Sequence, residues 1–106
     1  MPVSEIEELI EQFVKKLTPI KIYLFGSFAN GQSHEDSDLD FYIVVNDNVT
    51  DIHQVTTDAY KAIRTVKRRP VDIVIGTLSR FEERKTIPSV ENEVYQKGVL
   101  LYGSGN

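Results

Sequence analysis

Residues 24–45 read LFGSFANGQSHEDSDLDFYIVV, and this stretch decides how the chain is interpreted. An apolar run ends at Gly26-Ser27, ten residues follow, and Asp38 and Asp40 then lead into a second apolar run. Short β-branched and aromatic runs bounded by glycine or proline are typical of strands. The stretch therefore predicts strands over 20–25 and about 37–45, joined by a polar loop.

The composition limits the class of protein. The chain has 106 residues, of which 41% are hydrophobic and 26% charged, as expected for one globular domain. It contains no apolar run near the roughly 20 residues that cross a bilayer, and its acidic N-terminus is unlike a secretory signal. With no cysteine, we expect a cytoplasmic protein without membrane contact. The predicted domain covers 1–102, followed by a disordered tail over 103–106.

The charge balance argues against nucleic acid as a direct partner. Sixteen acidic residues outweigh twelve lysines and arginines, whereas proteins that grip a phosphate backbone usually carry a basic face. The one basic cluster, 67–69, falls at the expected end of a helix. We interpret it as complementing the helix dipole rather than as a phosphate or partner contact.

The remaining pattern is α/β, with a small mixed sheet flanked by helices. Ser4 and Glu7 resemble a capping box, and helical spacing then runs to about Leu17. The other predicted elements are a long helix capped by Thr50 or Asp51 and reaching Val66, a central strand over 71–76, helices over 78–84 and 88–96, and a last strand over 99–102.

Two features of the opening stretch point to chemistry. A turn after a strand offers free backbone N–H groups, and Gly26-Ser27 would let a phosphate approach them, although such a turn is weak evidence alone. Asp38 and Asp40 are two residues apart on a predicted strand and so share a face. Paired carboxylates suit Mg²⁺, and the alternative is a solvated acidic loop.

A third aspartate, Asp72, interrupts a strand that is otherwise apolar. If this strand lies beside the second one, Asp72 reaches the face that carries Asp38 and Asp40, and three carboxylates converge. The alternative is that Asp72 is simply solvated at the open end of its strand. His34 and His53 are interpreted as solvent-facing rather than as metal ligands.

Gly26-Ser27, ten residues, Asp38-Leu39-Asp40 and a later Asp72 together resemble the motif of the DNA polymerase β nucleotidyltransferase superfamily. The resemblance covers nearly the whole chain and is strongest to the minimal nucleotidyltransferases. It implies a polymerase β-like core in which Asp38, Asp40 and Asp72 are catalytic and bind two Mg²⁺ ions, while Gly26 and Ser27 bind the nucleotide. One departure is Asn30, where the family often has arginine, which lowers the positive charge available to a triphosphate.

The resemblance also implies a function. Many such proteins are antitoxins that transfer AMP from ATP to a tyrosine of a HEPN-type toxin, encoded by the adjacent gene. We expect no room in 106 residues for an acceptor-binding domain, which favours a protein acceptor. Alternatives are an antitoxin that acts by binding alone and a stand-alone small-molecule nucleotidyltransferase, and a homo-oligomer is left open.

Overall fold

The structure, a computed structural model, describes residues 3–27, 29, 31 and 37–103. Four helices and four strands are interspersed along this part of the chain, as expected for an α/β protein. Their bounds are α1 Val3–Leu17, β1 Lys21–Phe25, β2 Leu39–Val45, α2 Ile52–Ala62, β3 Val71–Thr77, α3 Leu78–Arg84, α4 Val90–Lys97 and β4 Val99–Tyr102.

The strands form one mixed sheet in the order β3-β2-β1-β4. Strand β1 is antiparallel to β2 and to β4, while β2 and β3 are parallel. Alternate residues of β2 face opposite layers: Phe41 packs in the cluster that includes α1 and α2, and Tyr42 packs with Phe81 of α3 and Val94 of α4. The predicted fold, a small mixed sheet flanked by helices, is confirmed.

The prediction that the third strand is central is wrong, because β3 lies at an edge of the sheet. Helix α2 packs on one face of β3 and helix α3 on the other, so the apolar side chains of β3 are buried without a strand on its outer side. The Tyr60 hydroxyl accepts a hydrogen bond of 3.0 Å from the backbone N–H of Ile73. A side chain of α2 thus satisfies one donor of this edge.

Two helix ends differ from their predictions. Helix α1 begins at Val3, so Ser4 lies inside its first turn rather than at the cap. Helix α2 is capped by the Asp51 side chain as expected but ends at Ala62, well before Val66. The basic cluster at 67–69 therefore follows the helix in a connection, and its interpretation as a helix-end cluster is wrong.

The C-terminal elements follow the prediction closely. Helix α3 has its predicted bounds, α4 runs from Val90 to Lys97 with Gly98 as its cap, and β4 is the last strand. Of the predicted tail, residues 104–106 lie outside the described part of the chain. Among the residues described, no helix is both long and apolar enough to span a bilayer.

Candidate active site

The central feature of the site is a pair of aspartates on neighbouring parallel strands. Asp40 on β2 is in register with Asp72 on β3, and both lie near the starts of their strands. They occupy the face that carries Tyr42 and Val74, two residues further along each strand. The expectation that Asp72 comes to the face of Asp40 agrees with this geometry.

The environment of Asp40 disfavours its charged form. Burial is the main cause, and the negative charges of Asp72 and Asp38 add to it, together with a side-chain hydrogen bond to Asp72. These effects raise the pKa of Asp40 to about 6. Asp72 itself is exposed. The pair therefore consists of one half-buried carboxyl that holds its proton strongly and one carboxyl that is open to solvent.

The turn after β1 lies against Asp40. Gly26 has a φ of +78°, and a Cβ built on it would collide with Oδ2 of Asp40. The carbonyl of Gly26 accepts a hydrogen bond of 3.1 Å from the N–H of Ala29, which closes the turn that contains Ser27. Only glycine fits both the backbone angle and the close approach. The two halves of the motif at 24–45 are thus in contact.

Asp38 is placed differently from Asp40. It is exposed and precedes β2, which begins at Leu39, so the prediction that both aspartates lie within one strand is wrong for Asp38. Its carboxylate is nevertheless close enough to raise the pKa of Asp40. The strand begins at Leu39 because the N–H of this residue makes the first interstrand bond, to the carbonyl of Pro70.

The donor set at this end of the sheet consists of carboxylate oxygens, which is the chemistry that Mg²⁺ prefers. Within the described ranges, no three acidic or histidine side chains are gathered closely enough to form a ready-made metal centre. The crowding of Asp40 by two other carboxylates still fits a divalent cation, since a cation would offset the repulsion that raises the pKa of Asp40.

One further acidic residue near the site was not singled out from the sequence. Glu93 on α4 is exposed, and its negative charge also raises the pKa of Asp40, although it is the smallest of the causes. Helix α4 packs against the sheet through Val94. The helical pattern indicates that Glu93 is a charged residue next to a buried position at 94. Its closeness to Asp40 could not be predicted, because it depends on how α4 packs in the fold.

A buried polar network lies on the same side of the sheet. The carboxylate of Glu91 is 1% exposed and accepts hydrogen bonds from the Tyr42 hydroxyl at 2.7 Å, from Arg80 Nε at 3.2 Å and from Arg84 Nε at 3.0 Å. Burial and the bond to Glu91 raise the pKa of Tyr42 well above its usual value. A Cβ on Gly76 would collide with the Tyr42 hydroxyl, so this glycine makes room for the network.

Besides the aspartates, the sequence singles out the polar residues Asn30, His34, His53 and Ser27. Asn30 and His34 lie outside the described residues. His53 is exposed on α2, as expected of a solvent-facing residue. Ser27 is half-buried in the turn that follows β1, next to Gly26.

Comparison with known families decides the class of the chain. The family model described as polymerase beta, nucleotidyltransferase matches residues 7–105, which include the turn and all three aspartates. The chain belongs to the polymerase β nucleotidyltransferase family. The expectation of a nucleotidyltransferase enzyme is confirmed at this level. No curated protein matches the chain in sequence.

Solved structures support the nucleotidyltransferase fold. A chain of a toxin–antitoxin structure with AMP-PNP matches with 22% identity and a TM-score of 0.57, over 98% of this chain and 75% of that one. A protein assigned as a nucleotidyltransferase from Sulfolobus solfataricus matches with 17% identity and a TM-score of 0.60, over 94% and 78%. Spectinomycin adenyltransferase AAD(9) from Enterococcus faecialis, with ATP and spectinomycin, matches with 19% identity and a TM-score of 0.64, over 98% and 56%.

Proposed function

We propose that this nucleotidyltransferase transfers AMP from ATP to a hydroxyl of a partner protein, a tyrosine of a HEPN-type toxin, and releases pyrophosphate. It thereby acts as a cytoplasmic antitoxin. The observation that carries the proposal is the contact between the Gly26 turn and Asp40, with Asp72 in register beside it. A phosphate-binding turn and a carboxylate pair are the two parts that phosphoryl transfer needs.

The turn supplies the nucleotide-binding part. Gly26 presents backbone without a side chain, and Ser27 adds a hydroxyl donor at the same place. Because the bond from Ala29 to Gly26 closes the turn, the backbone N–H of Ser27 is held in place before a ligand arrives. Phosphates bound there would be near Asp40, because the Gly26 turn lies against its carboxyl group.

The carboxylates supply the metal-binding and proton-accepting part. Asp38, Asp40 and Asp72 would hold two Mg²⁺ ions, which supply charge neutralisation of the phosphates and activation of the acceptor hydroxyl when bound. Asp72 is the exposed member of the pair, so an incoming hydroxyl can reach it and give up its proton there. Asp40 is half-buried and fixed between β1 and β3, which suits a positioning role.

The proposal of a protein partner is supported by the kinds of protein that share the fold. A chain of a toxin–antitoxin structure with AMP-PNP and a spectinomycin adenyltransferase with ATP and spectinomycin both share the fold of this chain. The acidic balance of the chain, with a net charge of −4, argues against a nucleic-acid acceptor. We therefore place the acceptor on a protein supplied separately, in line with the toxin–antitoxin structure.

The experiment is transfer of label from α-³²P-ATP to a helical protein encoded beside this gene, followed by intact mass measurement. We expect Mg²⁺-dependent addition of AMP, lost in Asp40→Asn and Asp72→Asn while both variants stay folded. Glu93→Gln is the matched control, because it removes an exposed charge near Asp40 without touching the pair. Retained labelling in both aspartate variants would contradict the assignment.

The stoichiometry of the same reaction distinguishes a catalytic antitoxin from the alternative functions. A catalyst inactivates an excess of toxin when ATP and Mg²⁺ are present, whereas a binding-only antitoxin titrates it one for one. Turnover on a small acceptor without any partner would indicate a stand-alone transferase.

A further inference from the structure

Asp38 lies just outside the strand that holds Asp40. Asp40 is held by strands on both sides, but Asp38 precedes β2 and lacks the support of the sheet. A carboxylate that binds a metal must be held in place, since small displacements of a ligand are costly to affinity. The strand hydrogen bonds begin only at Leu39, after Asp38, so a further contact must fix the backbone before residue 38.

The backbone on both sides of Asp38 is held from one dipeptide, Arg69-Pro70. Arg69 Nη1 donates to the carbonyl of Ser37 at 3.5 Å, which belongs to the peptide unit before Asp38. The N–H of Leu39, in the peptide unit after Asp38, donates to the carbonyl of Pro70 at 3.1 Å. Two contacts from neighbouring residues thus bracket the Cα of Asp38.

Arg69 is itself held rigidly by α1. Its Nε and Nη2 donate to the two carboxylate oxygens of Glu5, each at 3.0 Å. The side chains of Arg69 and Glu5 are only 14% and 5% exposed. A bidentate pair of this kind fixes the plane of the guanidinium group, which directs Nη1 towards Ser37.

We propose that Arg69, oriented by Glu5, is a positioning residue for Asp38. The inference rests on the proposed function, because it assigns Asp38 a role in metal binding. Arg69 acts through the backbone of residues 37–39, where it donates to the carbonyl of Ser37. Helix α1 thereby becomes part of the support of the site, because Glu5 holds Arg69.

The neighbouring ion pair provides a matched control. Arg68 Nη2 contacts Glu8 Oε1 at 2.9 Å, and it also joins the 67–69 connection to α1. The side chains of Arg68 and Glu8 are 60% and 42% exposed, and they are joined through one nitrogen and one oxygen rather than by a fork. Loss of this pair removes a similar link between the same two segments without affecting the backbone at Asp38.

The test compares Arg69→Lys and Glu5→Gln with Arg68→Lys and Glu8→Gln in the full chain. Lysine keeps the charge but cannot form the fork, and glutamine keeps the shape of glutamate but not its charge. Mn²⁺ affinity, measured without nucleotide by water-proton relaxation, should weaken about 10-fold in the first two variants and stay unchanged in the controls. Thermal unfolding confirms that each variant is folded at the temperature used.

Two further measurements separate positioning from general destabilisation. In an Asp38→Asn background, Arg69→Lys should cause no further loss of Mn²⁺ affinity, because the residue it positions has already been altered. Hydrogen exchange of the Leu39 amide should quicken in Arg69→Lys about 10-fold more than that of Ile43 in the middle of β2. An undiminished effect in the Asp38→Asn background, or equal changes at Leu39 and Ile43, would overturn the inference.

Failure of the proposed function has a different outcome. If the unaltered chain binds no Mn²⁺, the metal-dependent function fails, and the exchange of Leu39 relative to Ile43 alone decides whether Arg69 orders this backbone. If Mn²⁺ binds and both Arg69→Lys and Glu5→Gln leave its affinity unchanged, the function stands and the positioning role is rejected.

Discussion

Asp40 on β2 lies directly beside Asp72 on β3, because the two residues are in register on parallel strands. Burial and the neighbouring negative charges of Asp72 and Asp38 raise the pKa of Asp40 to about 6. In the absence of a cation, ionising Asp40 places its charge next to these carboxylates. The arrangement is therefore costly at neutral pH, and four expected outcomes follow from it and from its surroundings.

The first concerns pH and the stability of the cation-free protein. The pKa of Asp40 is about 6 in the folded state against an ordinary 3.8, so the folded state holds this proton more tightly than the unfolded chain does. The resulting stabilisation is complete below about pH 4 and is lost as the pH rises through about 6.

Asp40→Asn should therefore raise the melting temperature by a few degrees at pH 7.5, where the carboxylate repulsion is removed, and change it little at pH 4. Melting followed by circular dichroism in EDTA checks this. Glu7→Gln, which removes an exposed charge from α1, should show no such contrast between the two pH values. A lower melting temperature for Asp40→Asn at pH 7.5 would refute the expected repulsion.

The second concerns the turn at Gly26. Gly26→Ala places a Cβ against the Asp40 carboxyl and strains a backbone with φ of +78°, so we expect the free energy of unfolding to fall by about 1–3 kcal/mol and AMP transfer to be lost. Gly31→Ala is the control, because Gly31 has the same φ but nothing within 4 Å of its Cβ position. Equal effects of the two substitutions on transfer would show that contact with Asp40 is unimportant.

The third concerns the buried carboxylate of Glu91. Glu91→Gln removes the charge that Arg80 and Arg84 contact and leaves three donors facing an amide. Because both arginines are partly exposed, we expect a loss of about 2–3 kcal/mol in urea unfolding, at the low end for a broken buried pair. Glu93→Gln, exposed on the same helix, should change stability by less than about 0.5 kcal/mol.

The fourth concerns the free edge of β3. Tyr60→Phe removes the hydroxyl that accepts from the N–H of Ile73, so it should lower the free energy of unfolding by about 1 kcal/mol and quicken exchange of the Ile73 amide. Tyr95→Phe removes a hydroxyl from an exposed tyrosine on α4 and serves as the control. Unchanged exchange at Ile73 would mean that Tyr60 does not protect this edge.

The sequence predicted the parts of the site that depend on local pattern. The positions of the turn at Gly26, of the aspartate at the start of β2 and of the aspartate on a later strand could be predicted because glycine and carboxylates are uncommon beside or within apolar runs. The register of Asp40 with Asp72 could be stated only as a condition, since pairing between strands over 30 residues apart is not encoded in either segment alone.

What the sequence missed depends on contacts between distant segments. The apolar pattern of β3 indicates that its side chains are buried. Helices on both faces can bury the side chains of an edge strand as fully as those of a central strand. The pattern therefore could not predict that β3 lies at an edge of the sheet. Arg69 appeared to be a solvated helix-end residue, and only the approach of α1 shows that Glu5 binds it. Glu91 likewise appears as an ordinary helix residue until Arg80 and Arg84 surround it.

The register of Phe25 with Asp40 has a consequence for how such proteins diversify. The connection between these residues leaves β1 and enters β2 at directly opposed positions, so its ends are only about 5 Å apart whatever its length. Insertions and deletions there need not move the aspartates on β2 and β3. A change in the length of this connection would thus leave the register of Asp40 with Asp72 intact, whereas Asp38 and the Gly26 turn lie within the connection itself.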